Sequence, residues 1–208
     1  MKRREFLHCL GLATLGHAVF PASAVLAAIE CAPFNEQGIQ QCQVGIRSEI
    51  MHVSAASVGG QHQSQWCWAA CIEMVFRYYG FEIPQVEIVR QTWGDIVNLP
   101  GNPMQILGNL NRVWTDRNGR NFRVYGDVST ANVVTAAQDL AADMPLIIGT
   151  MGHAMVLTSL VYLRDRMGQG SVLSAIVRDP WPEKGRRVLT PQEWYNVMFL
   201  ARIRVQAT

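Results

Sequence analysis

The chain has 208 residues, 49% hydrophobic and 16% charged, enough apolar surface to offset the ordering entropy of one compact domain and too much for a disordered chain. Its 18 Lys and Arg stand against 16 Asp and Glu, and with Lys2, Arg3, Arg4 and Glu5 set aside the rest carries 15 of each sign. No basic stripe remains for nucleic acid, and with no charge field to steer association the expected partner is a small molecule, a peptide or a neutral protein surface.

Residues 1–27 stand apart. A basic start, an apolar middle from Leu7 to Phe20 and a small-residue end have the three-part order of an export signal. His8, Gly11, Gly16 and His17 interrupt the apolar run, which is too short and weak for a stable membrane span. Arg3-Arg4-Glu5-Phe6-Leu7 fits the twin-arginine signal, although Lys2 stands where that motif favours Ser or Thr. Cleavage is expected after Ala22-Ser23-Ala24 or Val25-Leu26-Ala27, and an uncleaved amphipathic anchor is the alternative. Cys9 precedes the apolar segment and so is not a lipoprotein cysteine. The expectation is an exported protein, periplasmic or secreted, with no stable membrane insertion once the signal is removed. One domain is expected over 28–208, opened by a short extension at 28–50.

Export places Cys31, Cys42, Cys67 and Cys71 in an oxidising compartment. Cys31 and Cys42 bracket a polar stretch and are expected to form a disulfide, worth about 3 kcal/mol in the chain-entropy account. Residues 29–60 otherwise read as irregular, with one strand over Ser48–Ala55. Cys67–Tyr79 is apolar nearly all round and stops at Gly80, which predicts a buried helix. Pro84 and Pro103 each open a further helix at its first position, the former closed by Gly94. Phe122–Asp127 reads as a strand, and Ala131–Ala142 as a helix capped by Thr130. Pro145–Thr150, His153–Leu163 and Ser171–Arg178 are strand-like, the last two joined through the turn-forming 164–170. A short helix from Pro191 and a strand over Phe199–Val205 complete the chain. Helices first and strands later predict an α+β fold.

The chemistry is expected where a polar loop, Gly60–Trp66, delivers Cys67 to the first turn of the apolar helix. Unpaired N–H groups and the positive end of the helix dipole favour a thiolate there, whereas Cys71, one turn further in, reads as structural. Beyond the signal the chain has three histidines, His52, His62 and His153. His62 lies in the loop near Cys67. His153 opens an apolar strand, and antiparallel pairing about a turn centred on Arg166 would set Asp179 opposite it. A carboxylate facing an imidazole fixes its tautomer and stabilises its charged form.

Gln61, five intervening residues, Cys67-Trp68-Ala69-Ala70, and then His153 and Asp179 in that chain order resemble the papain-like cysteine peptidases over roughly residues 50–205. The compact spacing and the Asp-Pro pair look closest to bacteriocin-leader peptidases and to secreted effector proteases of plant-pathogenic bacteria. No long inhibitory pro-region and no transporter segment accompany the motif, so zymogen control and coupling to peptide export are not implied. The resemblance implies a papain-like fold with Cys67 on a buried helix and an antiparallel sheet carrying His153 and Asp179. It implies Cys67 as nucleophile, His153 as general base and then acid, Asp179 as its orienting group, and Gln61 donating its amide to the oxyanion. Spacing alone selects Gln61 over Gln63 and Gln65. Trp68 is expected in the core, with Trp66 and Trp181 at the cleft rim. A peptide or protein substrate is implied, with no cofactor and no metal. Two alternatives stay open: a thiol acyltransferase or amidase on the same triad, and a non-catalytic binding module, including a zinc site on Cys67, Cys71 and a histidine for which no fourth ligand is evident.

Overall fold

The computed structural model describes residues 28–208; the twin-arginine motif and the apolar segment behind it lie outside them. The described residues form a mixed α+β structure of nine strands and six helices, all strand pairs antiparallel. Strands β1 (Glu30–Cys31) and β2 (Ile39–Gly45) set Cys31 opposite Cys42, and the expected disulfide joins them across a Cα separation of 4.0 Å. Residues 30–45 are therefore the edge of the main sheet, not an appendage.

The expected strand over Ser48–Ala55 is instead helix α1 (Ser48–Val58). Its buried residues are Met51, Ser54 and Val58, a helical spacing. The serine at the central buried position hides that period, its hydroxyl donating back to the carbonyl of Ile50. Helix α2 (Cys67–Tyr78) is buried all round, as its composition predicts, with Trp68, Ile72 and Phe76 excluded from solvent. Phe76 meets Trp114 and Phe122 edge-on, and Phe81 stacks on Phe122 at 4.1 Å between ring centroids.

Helices α3 (Gln85–Trp93) and α4 (Pro103–Leu110) follow, Pro84 capping the first from outside rather than occupying its first position. Strands β3 (Val113–Thr115) and β4 (Asn121–Ser129) precede α5 (Val133–Ala141), which is capped by Asn132 and not Thr130. The remaining elements are β5 (Leu146–Thr150), β6 (His153–Asp165), β7 (Gly170–Asp179), β8 (Gly185–Val188), α6 (Pro191–Tyr195) and β9 (Val197–Ala207). The sheet runs β1-β2-β6-β5-β9-β4-β3, with β7 on the other edge of β6 and β8 beyond it. Strand β8, short and carrying two arginines, is absent from the sequence reading.

Arg164 faces Gly170 and Val156 faces Arg178, so β6 and β7 pair about residue 167, one position beyond the expected centre at Arg166. That moves the pairs at both ends of the ladder by two residues and those between its two irregularities, Ser159–Ile176 to Val161–Ser174, by three. Among the described residues no helix is long and apolar enough to cross a membrane.

Candidate active site

The loop that presents Cys67 is held from both sides. The Gln61 N–H donates to the Pro180 carbonyl at 2.7 Å. The buried Gln85 side chain accepts from the His62 N–H at 3.0 Å and donates to the Gly60 carbonyl at 2.9 Å. Gly60 has φ +97°, and a Cβ there would stand 3.0 Å from the Pro180 carbonyl oxygen, so only glycine fits. Trp66 turns inward and donates from Nε1 to the Val97 carbonyl at 2.8 Å. It is 4% exposed and therefore part of the core, not the cleft rim. Trp68 is core as expected. Trp66, the residue preceding α2, offers no side-chain cap, so no capping side chain occupies the first-turn N–H groups beside Cys67.

A two-residue turn, Met151-Gly152, connects Thr150 to His153, and both turn residues have positive φ (50° and 78°). The turn fixes where the imidazole enters. His153 Nε2 and Asp179 Oδ1 are 2.7 Å apart. The same oxygen accepts the Trp181 N–H at 2.9 Å, and Asp179 Oδ2 accepts Arg187 Nε at 2.8 Å. The two terminal nitrogens of Arg187 grip Glu193 at 2.9 and 2.6 Å. Glu193 in turn closes the capping box of α6 with Thr190, and its backbone carbonyl accepts the Thr150 hydroxyl at 2.6 Å. The Trp181 ring meets His153 edge-on, 6.3 Å between centroids. With Nε2 on the carboxylate, Nδ1 is the nitrogen left for Cys67, which lines the same cleft.

Burial alone would push the Cys67 thiol up. The neighbouring His153, with the N–H groups of Ala154 and Trp68, outweighs it and holds the thiol below its ordinary value. Burial likewise works against the imidazolium, but Asp179 and Cys67 together raise His153 to about 9. Asp179, penalised by burial, is nevertheless held below the usual carboxylate range by His153, the Trp181 N–H and Arg187. Cys71 behaves oppositely: fully buried, and facing the charges of Cys67 and Asp179, it is pushed well above the ordinary thiol value. Both Cys67 and Cys71 are free thiols. The arrangement is chemically competent to keep a thiolate–imidazolium pair near neutral pH.

Cys67 and His153 sit where two arms of a cleft meet. One arm, about 200 Å³, is apolar, with Pro100, Gly101, Pro103, Met198 and Phe199 in its walls. A Cβ on Gly101 would drive into the Trp68 ring at 2.4 Å, so this wall packs directly on the core only because it is glycine. The other, about 430 Å³, is the more polar of the two and is bounded by Ser64, Gln65, Asp179, Trp181 and Lys184. Trp181 is 46% exposed and forms the expected rim.

Gln61 is buried in the loop, its Nε2 donating to the Gln63 and Ser64 carbonyls at 3.0 Å each, so neither amide hydrogen points at a substrate carbonyl. Its Oε1 is buried without a partner. His62 is exposed on the loop and His52 on α1. Among the described residues no three His, Cys, Asp or Glu side chains form a group suited to a metal ion. The structure gathers Cys67, His153 and Asp179, as expected, and adds Arg187, Glu193 and the Ala154 N–H, which were not expected. Arg187 had a signal: a turn at 180–184 returns the chain along β7 and puts Arg187 on the same face as Asp179. No protein-family model matches the chain, and no curated protein matches it either.

Proposed function

We propose that this protein is an exported thiol peptidase of papain-like type, acting through Cys67, His153 and Asp179. The observation that carries the reading is Cys67 and His153 together at the junction of two cleft arms, with His153 Nε2 hydrogen-bonded to the Asp179 carboxylate at 2.7 Å. The Cys67 thiolate attacks the substrate carbonyl carbon and forms a C–S bond, and the oxyanion gathers at the N–H of Cys67 at the helix start. His153 gives its proton to the departing amine nitrogen as the C–N bond breaks, leaving a thioester. Water then loses a proton to His153, attacks the thioester carbonyl and releases the acid, and Cys67 leaves as the thiolate. Asp179 holds the imidazole in the orientation that serves both transfers. Gln61 can join the oxyanion only by releasing a loop carbonyl. The extended apolar arm suits a peptide segment with an apolar side chain beside the reacting bond. The Cys31–Cys42 disulfide supports an oxidising compartment, in keeping with the signal-like residues 1–27.

Cleavage profiling of a proteome-derived peptide library, comparing the native protein with Cys67→Ala, tests the reading. Cleavage that disappears with the variant supports it. No cleavage, but amide formation when a primary amine is added with a thioester substrate, would assign the site to acyl transfer instead.

A further inference from the structure

Lys184 is the sole lysine of the chain outside residues 1–27, where Lys2 lies. It stands in the wall of the polar cleft arm together with Cys67, His153 and Trp181. Among the described residues it forms no ion pair with any carboxylate. The one carboxylate in the same wall, Asp179, has both oxygens taken: Oδ1 by His153 and the Trp181 N–H, Oδ2 by Arg187.

The backbone fixes where Lys184 stands. Trp181–Lys184 is a four-residue turn closed by the Lys184 N–H donating to the Trp181 carbonyl at 3.1 Å, with Pro182 in its second position. Glu183 occupies the third at φ 69°, a left-handed conformation that such a turn normally gives to glycine or asparagine. A glutamate held there costs about 1 kcal/mol or more, and strain of that kind concentrates at functional sites. The turn sends the two charges to different walls. Glu183 borders a separate pocket behind the turn, with His52, Gly59 and Arg178, while Lys184 borders the catalytic cleft. The Trp181 N–H ties the start of the turn to Asp179, so the lysine is carried on the same support as the imidazole.

We infer that the polar arm binds a carboxylate of the substrate, and that Lys184 is the residue that reads it. Apart from Cys67, His153 and Asp179, whose charges serve one another, the surfaces of that arm, Ser64, Gln65 and the Trp181 ring, are neutral, so the unpaired ammonium is the feature that distinguishes one substrate from another there. The carboxylate is either an acidic side chain or a free chain terminus; the chemistry read by the ammonium is the same.

Alkylation of Cys67 tests this without a substrate. Iodoacetate carries the carboxylate and iodoacetamide does not, so the ratio of their rates measures attraction of an anion into the cleft. The ratio is expected to fall about threefold in Lys184→Gln, further in Lys184→Glu, and to recover in Lys184→Arg, with the difference shrinking at high salt. An unchanged ratio in all three variants overturns the inference. So does a ratio that stays fixed while the iodoacetamide pH profile shifts, which would make Lys184 a partner of the thiolate. The peptide arm rests on the thiol peptidase reading: paired substrates with an acidic side chain and an amidated terminus, or with a neutral side chain and a free terminus, identify the source of the carboxylate. A ratio that falls as expected in a protein that cleaves no peptide keeps the carboxylate site and removes the peptidase reading.

Discussion

His153 and Asp179 meet at 2.7 Å through Nε2 and Oδ1 although the strands that carry them do not set them opposite one another. Continued past Val156 and Arg178, the register would pair residue 153 with 181, which leaves Asp179 two residues away on the diagonal. Diagonal neighbours on one face lie roughly 7–8 Å apart, a gap that an imidazole and a carboxylate close between them. The Trp181 N–H and Arg187 hold the carboxylate ready for that contact.

Asp179→Asn should therefore retain a measurable fraction of turnover, because an amide oxygen can still accept from Nε2, while Asp179→Ala should retain much less. Single-turnover rates on a cleaved peptide, set beside the far-UV spectra of both variants, check the order. Equal losses in the two would show that the charge, and not the orientation, is what His153 needs.

Arg187 links two carboxylates, Asp179 and Glu193, and holds Glu193 at about 2. Arg187→Ala leaves the nearly buried Asp179 with one partner fewer and frees Glu193 from its clamp, a change expected to cost about 2–4 kcal/mol in urea unfolding. Arg187→Lys should recover little of this, since a single ammonium cannot reproduce the fork that serves both groups. Full recovery by lysine would reduce the arrangement to simple charge balance.

The sequence made the site legible where chemistry follows from chain order. A thiol at the start of an apolar helix, a histidine at the head of a strand and an aspartate at the end of the next carry their meaning in their spacing. Register was less legible, because the loop 164–170 admits several turn centres and the β-bulges that shift the ladder have no residue signature. Helix α1 was hidden because Ser54 satisfies its hydroxyl on the Ile50 carbonyl of its own helix, which lets a polar residue occupy the buried face. Arg187 was missed because a four-residue edge strand of glycine, two arginines and valine has no apolar period.

Gln61 presents a choice that its hydrogen bonds sharpen. Both amide hydrogens go to the carbonyls of Gln63 and Ser64. Gln61→Ala should slow peptide turnover by less than about tenfold and lower the melting temperature, as expected of a residue that shapes the loop. A loss of about a hundredfold or more with unchanged stability would mark a direct oxyanion donor, of the size seen when such a donor is removed.

The Cys31–Cys42 disulfide closes a hairpin at the edge of the sheet, on a strand, β2, that pairs directly with β6. Reduction should lower stability by about 3 kcal/mol. Mass mapping of unreduced protein should find this bridge alone, with Cys67 and Cys71 as thiols. A bridge between Cys67 and Cys71 in protein that still cleaves peptides would remove Cys67 from the mechanism.

The pH behaviour of the pair follows from the signs of its shifts. Cys67 is held below its ordinary value and His153 is raised to about 9, so the ion pair forms on the acid side through the thiol and is lost on the alkaline side through the imidazolium. Iodoacetamide should label Cys67 at pH values where Cys71, fully buried and raised, stays silent. Under the proposed mechanism, peptide turnover should fall again as pH passes about 9, where His153 would lose the proton that the mechanism assigns to the leaving amine. Folding should respond in the same window. A raised imidazole contributes its stabilisation fully below its unfolded value of 6.5 and loses it as pH climbs through about 9. Asp179, held low, contributes above the ordinary carboxylate value of 3.8 and loses that contribution as pH drops through its depressed value. In His153→Ala the neighbour that lowers the thiol is gone while burial remains, so the labelling midpoint should climb to the ordinary thiol value or beyond it, and turnover should vanish. A midpoint unmoved in His153→Ala but moved in His62→Ala would transfer the base to the loop histidine, and the whole arrangement of charge around Cys67 would have to be read again from that residue.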